Sequence, residues 1–142
     1  MLQDTELLQY IHKTAEMGCE GILAVMDYTE GSGLKEVLAQ QLKDYRGFET
    51  EAEELLEKRG ESANDVGLVE KTSARVMSAG QLMLDRSISK IAEMTIAGNN
   101  MGINKTIEHL HDYTGDEQEA VALANRFLSA QRSNVEQLQD YL

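Results

Sequence analysis

The sequence contains no proline and no tryptophan, only two phenylalanines, and a single cysteine in 142 residues. Each lack excludes something. One cysteine, Cys19, permits neither an internal disulfide framework nor a cysteine-based zinc cluster. Basic residues are outnumbered, 13 against 25 acidic, for a net charge of −12. A surface of that sign does not neutralise phosphates, which argues against a nucleic-acid partner. Apolar stretches run for only a few residues, so no membrane span is expected. Met1-Leu2-Gln3-Asp4 has neither the basic nor the apolar region of a signal peptide, and a cytoplasmic location is the expectation. The length fits one domain, residues 1–142, large enough to bury a core.

Missing proline also indicates the fold class. A proline inside a helix costs about 3 kcal/mol, while strand-rich chains use it in turns and at edges. Ala, Leu, Met, Glu, Gln and Lys dominate, and no segment alternates as a strand would. An all-α bundle is therefore expected.

Apolar residues recur at spacings of three and four in four segments. The first helix is expected to be capped by Asp4 and carries Leu8, Ile11, Ala15, Gly18, Ile22 and Val25 on one stripe. Thr29-Glu30-Gly31-Ser32-Gly33 stops it, with Ser32 placed to cap the second helix. That helix shows Leu38, Gln41, Tyr45, Phe48, Ala52 and Leu55, and ends at Lys58-Arg59-Gly60. After a polar loop, a third helical stretch begins near Asp65 or Gly67 and includes Val69, Val76, Leu82 and Met83. A break near Asp85 or Ser87 is favoured over one helix running to Tyr113. The fourth helix carries Ile88, Ile91, Thr95, Asn99, Ile103 and Leu110. Asp116 is expected to cap the fifth, in a capping box with Glu119, and Val121, Ala124, Leu128, Gln131, Val135, Leu138 and Leu142 follow.

Residues 11–21, IHKTAEMGCEG, and 88–98, ISKIAEMTIAG, agree at 6 of 11 positions at an offset of 77. Each copy lies in a helix followed by a glycine-containing turn and another helix. The chain then reads as two helical hairpins, helices one–two and four–five, joined by a long crossover that contains helix three. A four-helix bundle with one long crossover is the ferritin-like arrangement. The hairpin order and the segment Ala92, Glu93, Met94, Gly98, Met101, Gly102 resemble small uncharacterised ferritin-like proteins of Firmicutes, over nearly the whole chain. The resemblance implies a fold more than an activity.

A di-iron site of that kind takes a glutamate from each of two helices and Glu-x-x-His from the other two. Glu16 and Glu93 fall where the paired helix glutamates are expected, and Glu49 matches the glutamate of the second helix. The set is incomplete. Ala52 follows Glu49 where histidine is needed, and Arg126 and Ser129 stand at the corresponding places of the last helix. His12 and Glu16, one turn apart beside Cys19, form a pair able to bind a metal. Glu108-His109-Leu110-His111 supplies a Glu-x-x-His, but near an end of the bundle. Iron or another divalent metal on Glu16, Glu49, Glu93 and His12 is thus the alternative to a bundle without cofactor. The acidic run Glu49–Glu61 lacks the Asn, Asp and Gly turn of a calcium loop.

Polar residues on the apolar stripes are a second clue. Gln41, Thr95, Asn99 and Gln131 are expected as a core layer that fixes register, or as a polar spot for a small ligand. A turn centred near residue 115 places Asn99 opposite Gln131. Gly18, Gly21, Gly98 and Gly102 fall inside helices, where glycine costs about 1 kcal/mol, so close approach of another helix is expected at each. The repeat aligns Gly21 with Gly98, and the hairpins are expected to meet there. Six internal methionines suit core filling or an adaptable contact face. No phosphate loop, dinucleotide fingerprint or nucleophile elbow is present. The leading expectation is a non-enzymatic bundle that acts by protein association, as a homo-oligomer such as a dimer. A carboxylate metal site and a small-ligand site are the alternatives.

Overall fold

In a computed structural model, residues 2–63 and 85–142 are described. They form four α-helices: α1 (Asp4–Met26), α2 (Gly33–Lys58), α3 (Ile88–Asp112) and α4 (Gln118–Gln139), with a 3-10 turn at Asp27–Thr29. These are the first, second, fourth and fifth helices of the sequence pattern. The expected third helix, 65–83, lies outside the described residues. Among the described residues no helix is long and apolar enough to cross a membrane.

The helix ends show which polar groups win the orphan backbone sites. Gln3, not Asp4, is the N-cap of α1, and its N–H donates to Glu6 Oε1. The Asp4 carboxylate serves tertiary structure instead, accepting from Arg59 and Tyr113. Ser32 occupies the N-cap of α2, but its hydroxyl donates backward to Thr29 O at 2.6 Å rather than capping forward. Ser87 caps α3 by accepting from Lys90 N, while Asp85 accepts from Ser87 N; a fresh helix does begin there. Glu117 rather than Asp116 caps α4, its carboxylate accepting from Glu119 N. Gly60, at φ +72°, ends α2 in the left-handed conformation that glycine adopts without strain.

Paired contacts give the helix directions. His12 meets Glu53 and Cys19 meets Leu42, so α1 and α2 are antiparallel. Asn99 meets Asn134 and Thr106 meets Gln131, so α3 and α4 are antiparallel as well. Tyr10 on Thr106 sets α1 against α3, and Glu51 on Arg126 sets α2 against α4, each pair antiparallel. It follows that α2 and α3 run parallel. Gln9 bonds Ser62 O at one end of the bundle, and Arg86 lies over the Tyr28 ring at the other. The chain therefore leaves α2 at one end and enters α3 at the opposite end.

The core is built from Leu7, Leu8, Ile11, Ala15, Leu34, Leu38, Ala52, Leu56, Ile91, Leu123, Phe127 and Leu138, all inaccessible to solvent. Some stripe positions differ from expectation. In α4, Asn134 is buried where Val135 was expected, Val121 is half-buried beside buried Ala120, and Leu142 is 63% exposed beyond the helix end. In α3, Ile103 is only half-buried.

Of Gly18, Gly21, Gly98 and Gly102, two admit a close neighbour. A Cβ on Gly18 would lie 2.8 Å from the Tyr45 ring, and one on Gly102 would lie 2.6 Å from Gln131 Nε2. Gly21 and Gly98 meet no described atom within 4 Å, so the hairpins do not touch there. The repeat aligns their sequences but not their packing.

Candidate metal centre

Gln41, Asn99 and Gln131 are buried as expected, and Thr95 is half-buried. The pairing differs. Tyr45 donates to Asn99 Oδ1 at 2.9 Å, and Asn134 Nδ2 donates to the Tyr45 hydroxyl at 3.2 Å. Asn99 thus faces Asn134, not Gln131, three positions further along α4 than the turn centre implied. Gln131 accepts instead from Thr106 at 3.0 Å, and Thr106 lies 3.0 Å from the Tyr10 hydroxyl. Gln41 Nε2 donates to Gln137 Oε1 and Asn134 O. Thr95 bonds within its own helix, its carbonyl accepting from Asn99 Nδ2 and its hydroxyl donating to Ile91 O. Burial and the loss of solvation push the Tyr45 hydroxyl up to about 12, so it stays a neutral donor. A shallow surface depression of about 410 Å³, lined by Asp116–Gln118, Val121, Ala122 and Asn125, touches none of this layer.

The charged candidates separate. Glu93 is exposed on α3 and, among the described residues, pairs only with Lys90, so it does not join Glu16. Arg126, at the place of a last-helix ligand, makes a two-pronged pair with Glu51 on the surface. Of the other Glu-x-x-His residues, His109 stacks on Tyr10 with ring centroids 3.7 Å apart, and Glu108 pairs with Lys105. Neither converges on a common point with His111, which is exposed.

His12, Glu16 and Glu49 do come together, with one residue that the sequence pattern did not single out. His12 and Glu16 lie one turn apart on α1; Glu49 and Glu53 lie one turn apart on α2. Because the helices are antiparallel, the two pairs face across one seam. The ligand atoms of His12, Glu49 and Glu53 all lie within 4.8 Å of one another, the one such cluster of histidine, cysteine and carboxylate groups among the described residues. His12 is 6% exposed, with Nε2 2.7 Å from Glu53 Oε1 and Nδ1 3.9 Å from Glu16 Oε2. Glu49 is half-buried and accepts from the Cys19 thiol at 3.0 Å. Glu53, half exposed, leaves the cluster open to solvent.

The electrostatics favour a cation. Partial burial holds the Glu16 carboxyl above the usual carboxylate range, and the Glu49 charge adds to this; His12 opposes it, and Glu20 and Glu53 push the same way as Glu49. Burial, then the hydrogen bond and charge of Glu49, push the Cys19 thiol up to about 12, which makes it a poor nucleophile. One imidazole, with the Arg46 charge acting near Cys19, stands against four carboxylates. An imidazole nitrogen with carboxylate oxygens is a donor set that suits divalent manganese, iron and zinc.

In sequence alone, an offset of 77 places Ser89 at the position of His12, Arg126 at that of Glu49 and Ala130 at that of Glu53, so the second hairpin does not repeat the histidine and carboxylate set. No protein-family model, curated protein or solved structure matches this chain, so the chemistry rests on its own geometry.

Proposed function

We propose that the chain is a cytoplasmic, ferritin-like helical bundle that binds one divalent transition-metal ion on His12, Glu49 and Glu53, in the seam between α1 and α2. The convergence of a nearly buried imidazole and two carboxylates within 4.8 Å carries this reading. Glu16 lies 3.9 Å from the other ring nitrogen, an ion-pair distance, from which a small approach would make it the outer carboxylate of a histidine–metal site. With two ligand carboxylates the ion and its ligands are charge-neutral. Protein groups hold most of the polar layer, Tyr45 with Asn99 and Asn134, Gln131 with Thr106 and Gln41 Nε2 with Gln137, which supports a structural role over a small-ligand site; the buried Gln41 Oε1, without a partner among the described residues, is the exception.

The test is calorimetric titration of metal-stripped protein with Mn²⁺, Fe²⁺ under argon, and Zn²⁺. One ion per chain is expected, with affinity at least about 10-fold lower in His12→Ala and in Glu53→Gln. No saturable binding, or binding unchanged in both variants, ends the reading. A second reading, association with another protein or a second copy, is favoured by Met101 at 71% and Leu23 at 50% exposed. Its mark is a mass above one chain by light scattering.

A further inference from the structure

Cys19 lies beside the cluster but is not part of it. Its thiol is 6% exposed and has two acceptors in reach, Glu49 Oε1 at 3.0 Å and Leu42 O at 4.0 Å. The nearer one is charged, and a charged acceptor makes the stronger bond. Cys19 sits two turns along α1 from His12, on the same side of the helix, so the two residues flank Glu49 from one backbone. Glu49 is half-buried, and the Cys19 thiol gives its carboxylate a fixed hydrogen-bond partner from α1.

Resting on the metal reading above, we infer that Cys19 is a positioning residue for that site: its S–H holds the Glu49 carboxylate toward His12 and Glu53, and its sulfur is not a ligand. Two features argue for the outer role. The Cys19 sulfur falls outside the set of ligand atoms that converge within 4.8 Å. A thiolate would also add a negative charge to a seam that already holds Glu16 and Glu20, after the two ligand carboxylates have balanced the ion. The site is thereby kept an oxygen and nitrogen site, with no special preference for thiophilic ions.

The experiment titrates metal-stripped wild type, Cys19→Ser, Cys19→Ala and His12→Ala with Mn²⁺ and with Cd²⁺, and records the absorption spectrum of the Co²⁺-loaded wild type. Outer-shell partners of ligands are worth about 10- to 100-fold in metal affinity. Cys19→Ala is expected to weaken Mn²⁺ binding about 10-fold, and Cys19→Ser, which restores a donor, to stay within about 3-fold of wild type. Mn²⁺ and Cd²⁺ should lose similar factors, and the Co²⁺ spectrum should lack a sulfur-to-metal charge-transfer band. A thiolate band, or a loss for Cd²⁺ alone, overturns the inference by making the sulfur a ligand. Equal Mn²⁺ affinity in wild type and Cys19→Ala overturns it too. Failure of the metal reading looks different: His12→Ala would bind as wild type does, or no variant would bind. Circular dichroism of each variant at the titration temperature checks that the helices are intact.

Discussion

Gly18→Ala separates a glycine that packing requires from one that packing does not. In a helix interior alanine is favoured over glycine by about 1 kcal/mol, so the substitution begins with a gain. The new methyl would lie 2.8 Å from Tyr45 Cε2 and Cζ and 2.9 Å from Cδ2. Carbon atoms rest at about 3.5–4.0 Å, so the ring must retreat by about 0.7–1.2 Å. It has little room to do so. Tyr45 is buried, its hydroxyl joins Asn99 and Asn134, and its ring meets Phe127 edge to face at 6.2 Å between centroids. Overpacking of this kind costs about 1–3 kcal/mol, and each strained hydrogen bond about 1 kcal/mol more. The net expectation is a loss of about 1–3 kcal/mol despite the better helix former. Gly98→Ala is the control. No described atom lies within 4 Å of its new methyl, so it should gain about 0.5–1 kcal/mol. Urea unfolding followed by far-UV circular dichroism reads both as midpoint shifts at constant slope. In the double variant with Tyr45→Ala, the Gly18→Ala penalty should largely vanish. Gly18→Ala as stable as wild type would refute the packing account.

The Tyr45 hydroxyl is the hinge of the polar layer, so Tyr45→Phe should destabilise by about 1–3 kcal/mol in thermal melts, leaving Asn99 Oδ1 only its longer 3.4 Å contact with Asn134. A loss below about 0.5 kcal/mol would mean that the amides re-pair without it. For Glu16, a carboxyl raised in the folded state contributes stability that is fully present below the unfolded value and is lost as pH rises through the raised one. Metal-free Glu16→Gln should therefore be more stable than wild type at neutral pH, and the two should converge at about pH 3, below the unfolded glutamate value of about 4.3. Urea midpoints at the two pH values check this; a wild type that gains on the variant as pH rises would show the sign to be wrong.

Helix existence was legible because three-four spacing and the absence of proline both follow from one requirement, an uninterrupted helix with one buried face. Helix ends were less legible. Asp4 and Asp116 are good caps by residue type, but a cap depends on where the chain enters and on what else competes for the carboxylate. Arg59 draws Asp4 into a tertiary pair, and Glu117 reaches the α4 N-terminus first. Register was misplaced for a related reason. The α3–α4 connection does not pivot at residue 115, so Asn134 and not Gln131 comes opposite Asn99. Glycine cost was visible in sequence, but whether a neighbour occupied the space was not. The cluster at α1–α2 was half legible, as His12 with Glu16 on one helix and Glu49 on the next. Glu53 was lost in an acidic run that otherwise reads as a solvated face. The signal that recovers it is its spacing of four from Glu49, combined with an antiparallel hairpin.

The centre of the bundle and the seam between α1 and α2 solve opposite electrostatic problems. A charge in the middle of four helices loses most of its hydration, and partners must come from several helices at once. This chain fills that middle with neutral groups: Tyr45, Asn99 and Asn134 bond one another, Gln131 bonds Thr106 and Gln41 Nε2 bonds Gln137, which pins register without carrying charge, while Gln41 Oε1 is buried without a partner among the described residues. Two tyrosine and amide relays, one through Tyr45 and one through Tyr10, cross between the hairpins. The seam keeps acidic groups at the rim, where Glu53 stays in contact with water and His12 is, among the described residues, the only buried base. A site with two ligand helices instead of four needs no coordinated motion of the second hairpin to open. Metal binding should accordingly stiffen α1 against α2 and leave α3 and α4 unchanged, a distinction that amide hydrogen exchange with and without Mn²⁺ reads helix by helix. Protection rising equally in all four helices would place the ion, or its effect, in the shared core.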